Sequence, residues 1–175
     1  MSSEEFVENT GKNLNKLRKE NINCDVVIQI GEKTFPAHRL VLISRMDFFQ
    51  KMFNTEMREK KEFTVNLDPE IVSPDVFEDI LNYIYTSELE LTDENAPLIC
   101  VAANFFCDEI LKKKTVSFLE TNLKIDNVSQ YLEMAMRIDL KSLEEKCKNF
   151  IVENSSSEII KQDLISWFLF EDLEG

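Results

Sequence analysis

Residues 24–59 read CDVVIQIGEKTFPAHRLVLISRMDFFQKMFNTEMRE. Val26, Ile28 and Ile30 alternate with Asp25, Val27 and Gln29, the period-two pattern of a strand with one face in a core. Gly31-Glu32 turns the chain, and Lys33-Thr34-Phe35 is expected to pair back as a hairpin. Pro36 lacks a ladder donor and is expected to end that strand. Leu40, Val41 and Ile43, then Phe48, Phe49, Met52 and Phe53, cluster at helical spacing. The stretch also holds the single histidine, His38, with no evident chemical partner. A lone histidine without a serine, cysteine or carboxylate at triad spacing is a poor candidate for catalysis.

Helical patterns flank this stretch. Phe6, Val7, Leu14 and Leu17 give residues 6–20 a modest apolar face, weakened by Gly11. Residues 62–67, EFTVNL, alternate again and predict a short strand closed by Asp68-Pro69. Ser73-Pro74-Asp75 is a helix start: a capping hydroxyl, proline at the first position, then an acid near the positive end. Val72 and Phe77 stand at the staple positions around it. Asn95 is expected to cap the next helix, whose buried face is Leu98, Ile99, Ala102 and Phe106. Ile110, Leu111, Phe118 and Leu119 mark a further helix. Val128, Tyr131, Leu132 and Ala135 predict another, and Leu140, Leu143, Cys147, Phe150 and Ile151 one more. After Ser155-Ser156-Ser157, a last apolar stripe follows at Ile160, Leu164, Ile165 and Phe168, with Trp167 beside it.

Composition narrows the function. A chain of 175 residues with 43% hydrophobic content can fill one real core plus a small extension. Thirteen Phe against three Gly point to compact helical packing. A net charge of −13 disfavours nucleic acid, which needs clustered Lys and Arg, and disfavours an anionic membrane. No apolar run reaches the ~18–20 residues of a membrane span, and the acidic start MSSEEFVENT lacks signal-peptide features. A cytoplasmic or nuclear setting is expected. Cys24, Cys100, Cys107 and Cys147 form no C-x-x-C pair and sit among apolar residues, so buried reduced thiols are expected and no metal site. Gly11, Gly31 and Gly175 are the only glycines, so a phosphate-cradling loop is excluded. Neither a cofactor nor an enzymatic activity is expected.

In combination these segments resemble a BTB/POZ domain followed by the start of a BACK domain. The resemblance rests on Cys24-Asp25-Val26, the run Phe35-Pro36-Ala37-His38-Arg39-Leu40-Val41-Leu42, and Phe48-Phe49 followed by Met52-Phe53. It continues through Phe77, Ile80-Leu81, Tyr83-Ile84-Tyr85-Thr86 and then Asn95, Leu98, Ala102, Ala103 and Phe105. It implies an α+β fold, a small sheet flanked by helices over residues 1–122. Residues 123–175 would then form the 3-box and the start of BACK.

The resemblance further implies a homodimeric protein-interaction module of the Kelch-like, cullin-3-adaptor kind. The first helix, with Phe6, Val7, Leu14 and Leu17, would face the partner subunit. Asp25 and Arg39 match a charged pair near the family interface, and a pair that organises the monomer alone fits equally. Met57-Arg58-Glu59 matches the hydrophobic-x-Glu pattern of cullin-3 adaptors, with Met57 entering an apolar pocket, Glu59 adding polar contacts and Phe53 extending the patch. The family often has serine where Met46 stands, which leaves capping there to Ser44 or Asp47. His38 would pack at a helix start. A substrate protein would be read by a region outside this chain, since neither Kelch repeats nor a MATH domain is visible. A transcription-regulator dimer recruiting corepressor peptides, or a dimerising decoy, are the other readings.

Overall fold

The computed structural model describes residues 3–56 and 63–154, with side-chain surroundings given for 9–54 and 64–154. The chain divides into two compact units, Met1–Lys112 and Lys113–Gly175. Met57, Arg58 and Glu59, the break at 155–157 and the stripe at 160–168 lie outside the described residues.

The first unit begins with helix α1 (Ser3–Lys19) and then builds its sheet. Strand β1 (Val26–Ile30) buries Val26, Ile28 and Ile30 and leaves Val27 and Gln29 half-buried, as the alternation predicts. Strand β2 (Lys33–Ala37) pairs antiparallel to it, with Ile30 opposite Lys33 and Val26 opposite Ala37. Gly31 makes the connection at φ 57°, a left-handed value that glycine adopts without a Cβ penalty. Here the expectation for Pro36 is corrected. The strand runs through it to Ala37, because β2 lies at the edge of the β2-β1-β3 sheet, where a missing N–H is tolerated.

Helices α2 (Arg39–Arg45) and α3 (Asp47–Glu56) carry the chain across to β3 (Phe63–Leu67), which runs parallel to β1. A parallel neighbour requires such a crossover. Met46, between the two helices, is extended and buried, and it closes α2 as its C-cap by donating its main-chain N–H to the Leu42 carbonyl. Ser44 donates to the Val41 carbonyl, and Asp47 opens α3 in its first turn.

Helix α4 (Pro74–Thr86) starts as the sequence indicates. Ser73 is extended and its Oγ accepts the Val76 N–H at 3.4 Å, while Val72 and Phe77 are both buried beside it. The helix then drives Phe77, Ile80, Leu81 and Ile84 into the core. Phe77 meets Phe35 edge-on at 5.2 Å, and Phe48 and Phe49 lie 5.1 and 5.8 Å from Phe106. Such ring pairs contribute ~0.5–1.5 kcal/mol each beyond their buried area.

Helix α5 (Ala96–Phe105) buries Ile99 and Ala102 but turns Leu98 outward, 49% exposed. Asn95 stands at its N-cap without capping it. Its amide instead accepts the Thr92 N–H and donates to the Glu90 carbonyl, closing the preceding turn. Helix α6 (Glu109–Thr121) runs across the division between the units, with Leu111 and Leu119 buried and Ile110 exposed. Leu98 is therefore a correction to the expected buried face of α5: the helix keeps its period, but its buried stripe is narrower than the apolar sequence stripe.

In the second unit, α7 (Val128–Arg137) and α8 (Lys141–Glu153) pack as a pair. Val128, Tyr131, Leu132 and Ala135 are buried on α7, and Leu143, Cys147 and Ile151 on α8. Glu144 accepts from Lys148 at 2.8 Å and Lys141 at 3.2 Å, which holds its carboxyl below the usual range. Among the described residues no helix is long and apolar enough to cross a membrane.

Candidate functional site

The start of α2 is assembled from three distant pieces of chain. His38 occupies the N-cap position but makes no side-chain cap bond. The capping carboxylate comes from Asp25, whose Oδ1 accepts the Arg39 main-chain N–H at 2.7 Å. The Arg39 guanidinium instead lies over the Phe53 ring, 5.7 Å from its centroid. Asp25 and Arg39 are thus joined through a carboxylate-to-amide bond at a helix start, rather than through the charged side-chain pair that the resemblance implies. Asp25 remains exposed and Arg39 half-exposed, so both stay within reach of another surface.

His38 is not partnerless, which corrects the first reading of it. Its Nε2 lies 3.0 Å from the Ile22 carbonyl, and its Nδ1 lies 2.9 Å from the Tyr85 hydroxyl. A carbonyl only accepts, so Nε2 carries the proton and Nδ1 takes the Tyr85 O–H. The same Tyr85 oxygen accepts the His38 main-chain N–H at 2.8 Å. His38 therefore ties the segment after α1 to α2 and α4. Cys24 Sγ sits 3.8 Å from Nε2. Burial pushes the Cys24 thiol up and lifts the Tyr85 phenol to about 12. Both groups are held protonated, a structural joint rather than an activated nucleophile.

Phe53 is 3% exposed and stacks on Phe49 at 5.9 Å. It supports α3 from inside and extends no surface patch, contrary to the sequence expectation. Met57 and Glu59 fall outside the described residues, as do the side chains of Phe6 and Val7. Leu14 packs in part against its own unit's core and Leu17 is half-buried. The cysteines also divide. Cys100 and Cys147 are buried, Cys24 is intermediate and Cys107 is exposed. The expectation of four buried thiols is corrected, because Cys107 sits at φ 55° in the turn that ends α5, outside any packed face.

The surroundings of three residues escaped the sequence reading, among them Leu40, whose apolar cluster gave no sign of its exposure. Ile22 and Leu40 are 40% and 73% exposed, on the two segments that His38 joins. Leu40 could have been found from helical phase, since Leu42 takes the buried position. Arg18 is 2% exposed, and its side chain is spent on α4. Among the described residues no group of three or more metal-ligating side chains comes together.

The three-stranded sheet with one parallel crossover and its flanking helices is an α+β arrangement, and it leaves Ile22, Asp25 and Leu40 exposed around the start of α2. Residues 14–123 match the BTB/POZ domain family, and the chain belongs to that family. It is 33% identical over 150 residues to Kelch-like protein 7 of Gallus gallus, covering 86% of this chain and 25% of that protein. It is 35% identical over 140 residues to Kelch-like protein 40 of Xenopus laevis, covering 80% and 22%. It thus spans about a quarter of these relatives' length. Among solved structures, the BTB domain of zebrafish PATZ1 is similar at a TM-score of 0.60 and 28% identity, over 70% of this chain and 98% of that one.

Proposed function

We propose that this chain is the dimeric substrate-adaptor arm of a cullin-3 RING ubiquitin ligase. The similarity to Kelch-like protein 7 carries this reading, because its 150 residues outlast the 14–123 BTB match. Residues 1–122 then form the BTB domain, and 123–175 the 3-box and start of BACK, with α7 and α8 as the 3-box pair. Met57 and Glu59 contact the cullin, and Phe53 contributes by holding α3 from beneath. Dimer contacts involve α1 and the α2 start, where Asp25, Arg39, Ile22 and Leu40 are accessible.

The mechanism is tethering and makes no bond. One surface holds the cullin while a substrate, read by a region outside this chain, gains effective concentration near the ubiquitin-carrying enzyme. No enzymatic step falls to this chain, and its setting is cytoplasmic, nuclear or both. Calorimetric titration with the N-terminal fragment of cullin-3 tests the proposal. Saturable binding of one fragment per chain supports it, and absence of heat and of co-elution rejects it.

A further inference from the structure

Helices α1 and α4 meet along two matched stripes. On α1 the stripe is Gly11, Asn15 and Arg18, at i, i+4 and i+7. On α4 it is Glu78, Asn82 and Tyr85, at the same spacing. These spacings place each set on one helix face. The stripes run antiparallel: a Cβ on Gly11 would meet the Tyr85 carbonyl oxygen at 2.5 Å, while Arg18 reaches Glu78 at the other end.

Arg18 engages all three of its guanidinium nitrogens in this seam. Nη2 donates to Glu78 Oε1 at 2.9 Å and lies 3.2 Å from Asn82 Oδ1, and Nη1 is 3.4 Å from Glu78 Oε2. Nε donates to Asn15 Oδ1 at 2.9 Å, and the Asn15 amide donates to Asn82 at 3.0 Å. The guanidinium also lies 5.6 Å from the Tyr85 ring centroid. Lys19 approaches Glu78 at 3.7 Å and Lys12 meets Glu88 at 3.0 Å, extending the same register at both ends.

A buried cation is costly wherever it lacks its partners. Sliding α1 by one turn along α4 would strand the guanidinium and press a side chain into the Gly11 notch. Apolar contacts alone would tolerate such a slide. The seam therefore selects one register, and that register fixes where Leu17 and the segment carrying Ile22 emerge.

We infer that Arg18, with Glu78, is a positioning residue for partner-subunit recognition: it touches no partner but sets the register in which α1 presents its outer face. This rests on the dimer reading above. Fixing α1 before encounter removes an ordering cost from association.

The test uses the full chain with Glu78→Gln, a change on a half-exposed residue that leaves the apolar core untouched. Asp75→Asn, which removes one carboxylate from the exposed start of the same helix, controls for net charge. Dimer dissociation is read by sedimentation on dilution, and α1 mobility by amide exchange in the same samples. In Glu78→Gln, both α1 exchange and the dimer dissociation constant should rise about tenfold, as for loss of a charged hydrogen bond. Asp75→Asn should match the wild type in both. Arg18→Met serves as a second variant, expected to move both readouts in the same direction. Faster α1 exchange with a wild-type dissociation constant overturns the positioning role, as does unchanged exchange. A wild-type chain that stays monomeric throughout rejects the dimer reading itself, and the positioning role with it.

Discussion

Gly11 lies so close to the Tyr85 carbonyl oxygen that a methyl group in place of its hydrogen would stand 2.5 Å away. The contact is with main chain, which cannot rotate aside as a flexible side chain would. Helix propensity favours Ala over Gly by ~1 kcal/mol in a helix interior. The clash outweighs that gain: Gly11→Ala should lower stability by ~1–3 kcal/mol, the usual cost of overpacking. Urea unfolding checks the sign. A stabilised variant would mean that α1 does not sit this close to α4.

Phe53 is a core residue, so its truncation should act on the fold. Phe53→Ala removes a 3%-exposed ring stacked on Phe49 and should cost ~3–5 kcal/mol. Phe53→Leu keeps most of the volume and should cost less. Denaturant midpoints for the pair test this, and a neutral Phe53→Ala would place the ring on the surface after all.

Tyr85 links stability to alkaline pH. Its phenol stays protonated in the fold up to about 12, chiefly through burial, against about 10 when unfolded. The unfolded chain therefore loses its proton first. The stabilisation is fully present below pH ~10 and falls as pH rises from there toward 12. Tyr85→Phe should remove this alkaline dependence. It should also cost ~1–3 kcal/mol at neutral pH, since the His38 main-chain N–H and Nδ1 both lose their partner. Thermal melts across the alkaline range separate the two effects.

Thiol labelling should follow burial. Cys107 is exposed and should react first with iodoacetamide. Cys24 should follow slowly, because it is half-buried and its thiol is pushed up. Cys100 and Cys147 should stay protected until unfolding; burial lifts the Cys147 thiol to about 11. Mass mapping at timed intervals gives the order, and early modification of Cys147 would show that the α7–α8 pair opens.

What could be read from the sequence was what depends on near neighbours. The β1 alternation, the Ser73 cap and the α7 stripe each follow from residues within two turns of one another. Distant partners stayed hidden. His38 was read without partners because its contacts, Ile22 and Tyr85, lie 16 and 47 positions away. Arg18 sits among charged and polar neighbours that suggest a solvated face, and only the Glu78–Asn82 stripe 60 and more residues later makes it a buried residue. Pro36 was misread because its tolerance depends on β2 being an edge, which local sequence does not encode.

The cullin-3 assignment is tested most directly by Met57→Ala combined with Glu59→Ala, titrated calorimetrically with the cullin-3 N-terminal fragment. Wild type should bind, and the double variant, with an unchanged thermal melt, should bind at least ~10-fold more weakly, as loss of a central apolar anchor and a polar contact would give. Equal affinity of the two chains would contradict the assigned contacts, and no binding by wild type would contradict the adaptor reading itself.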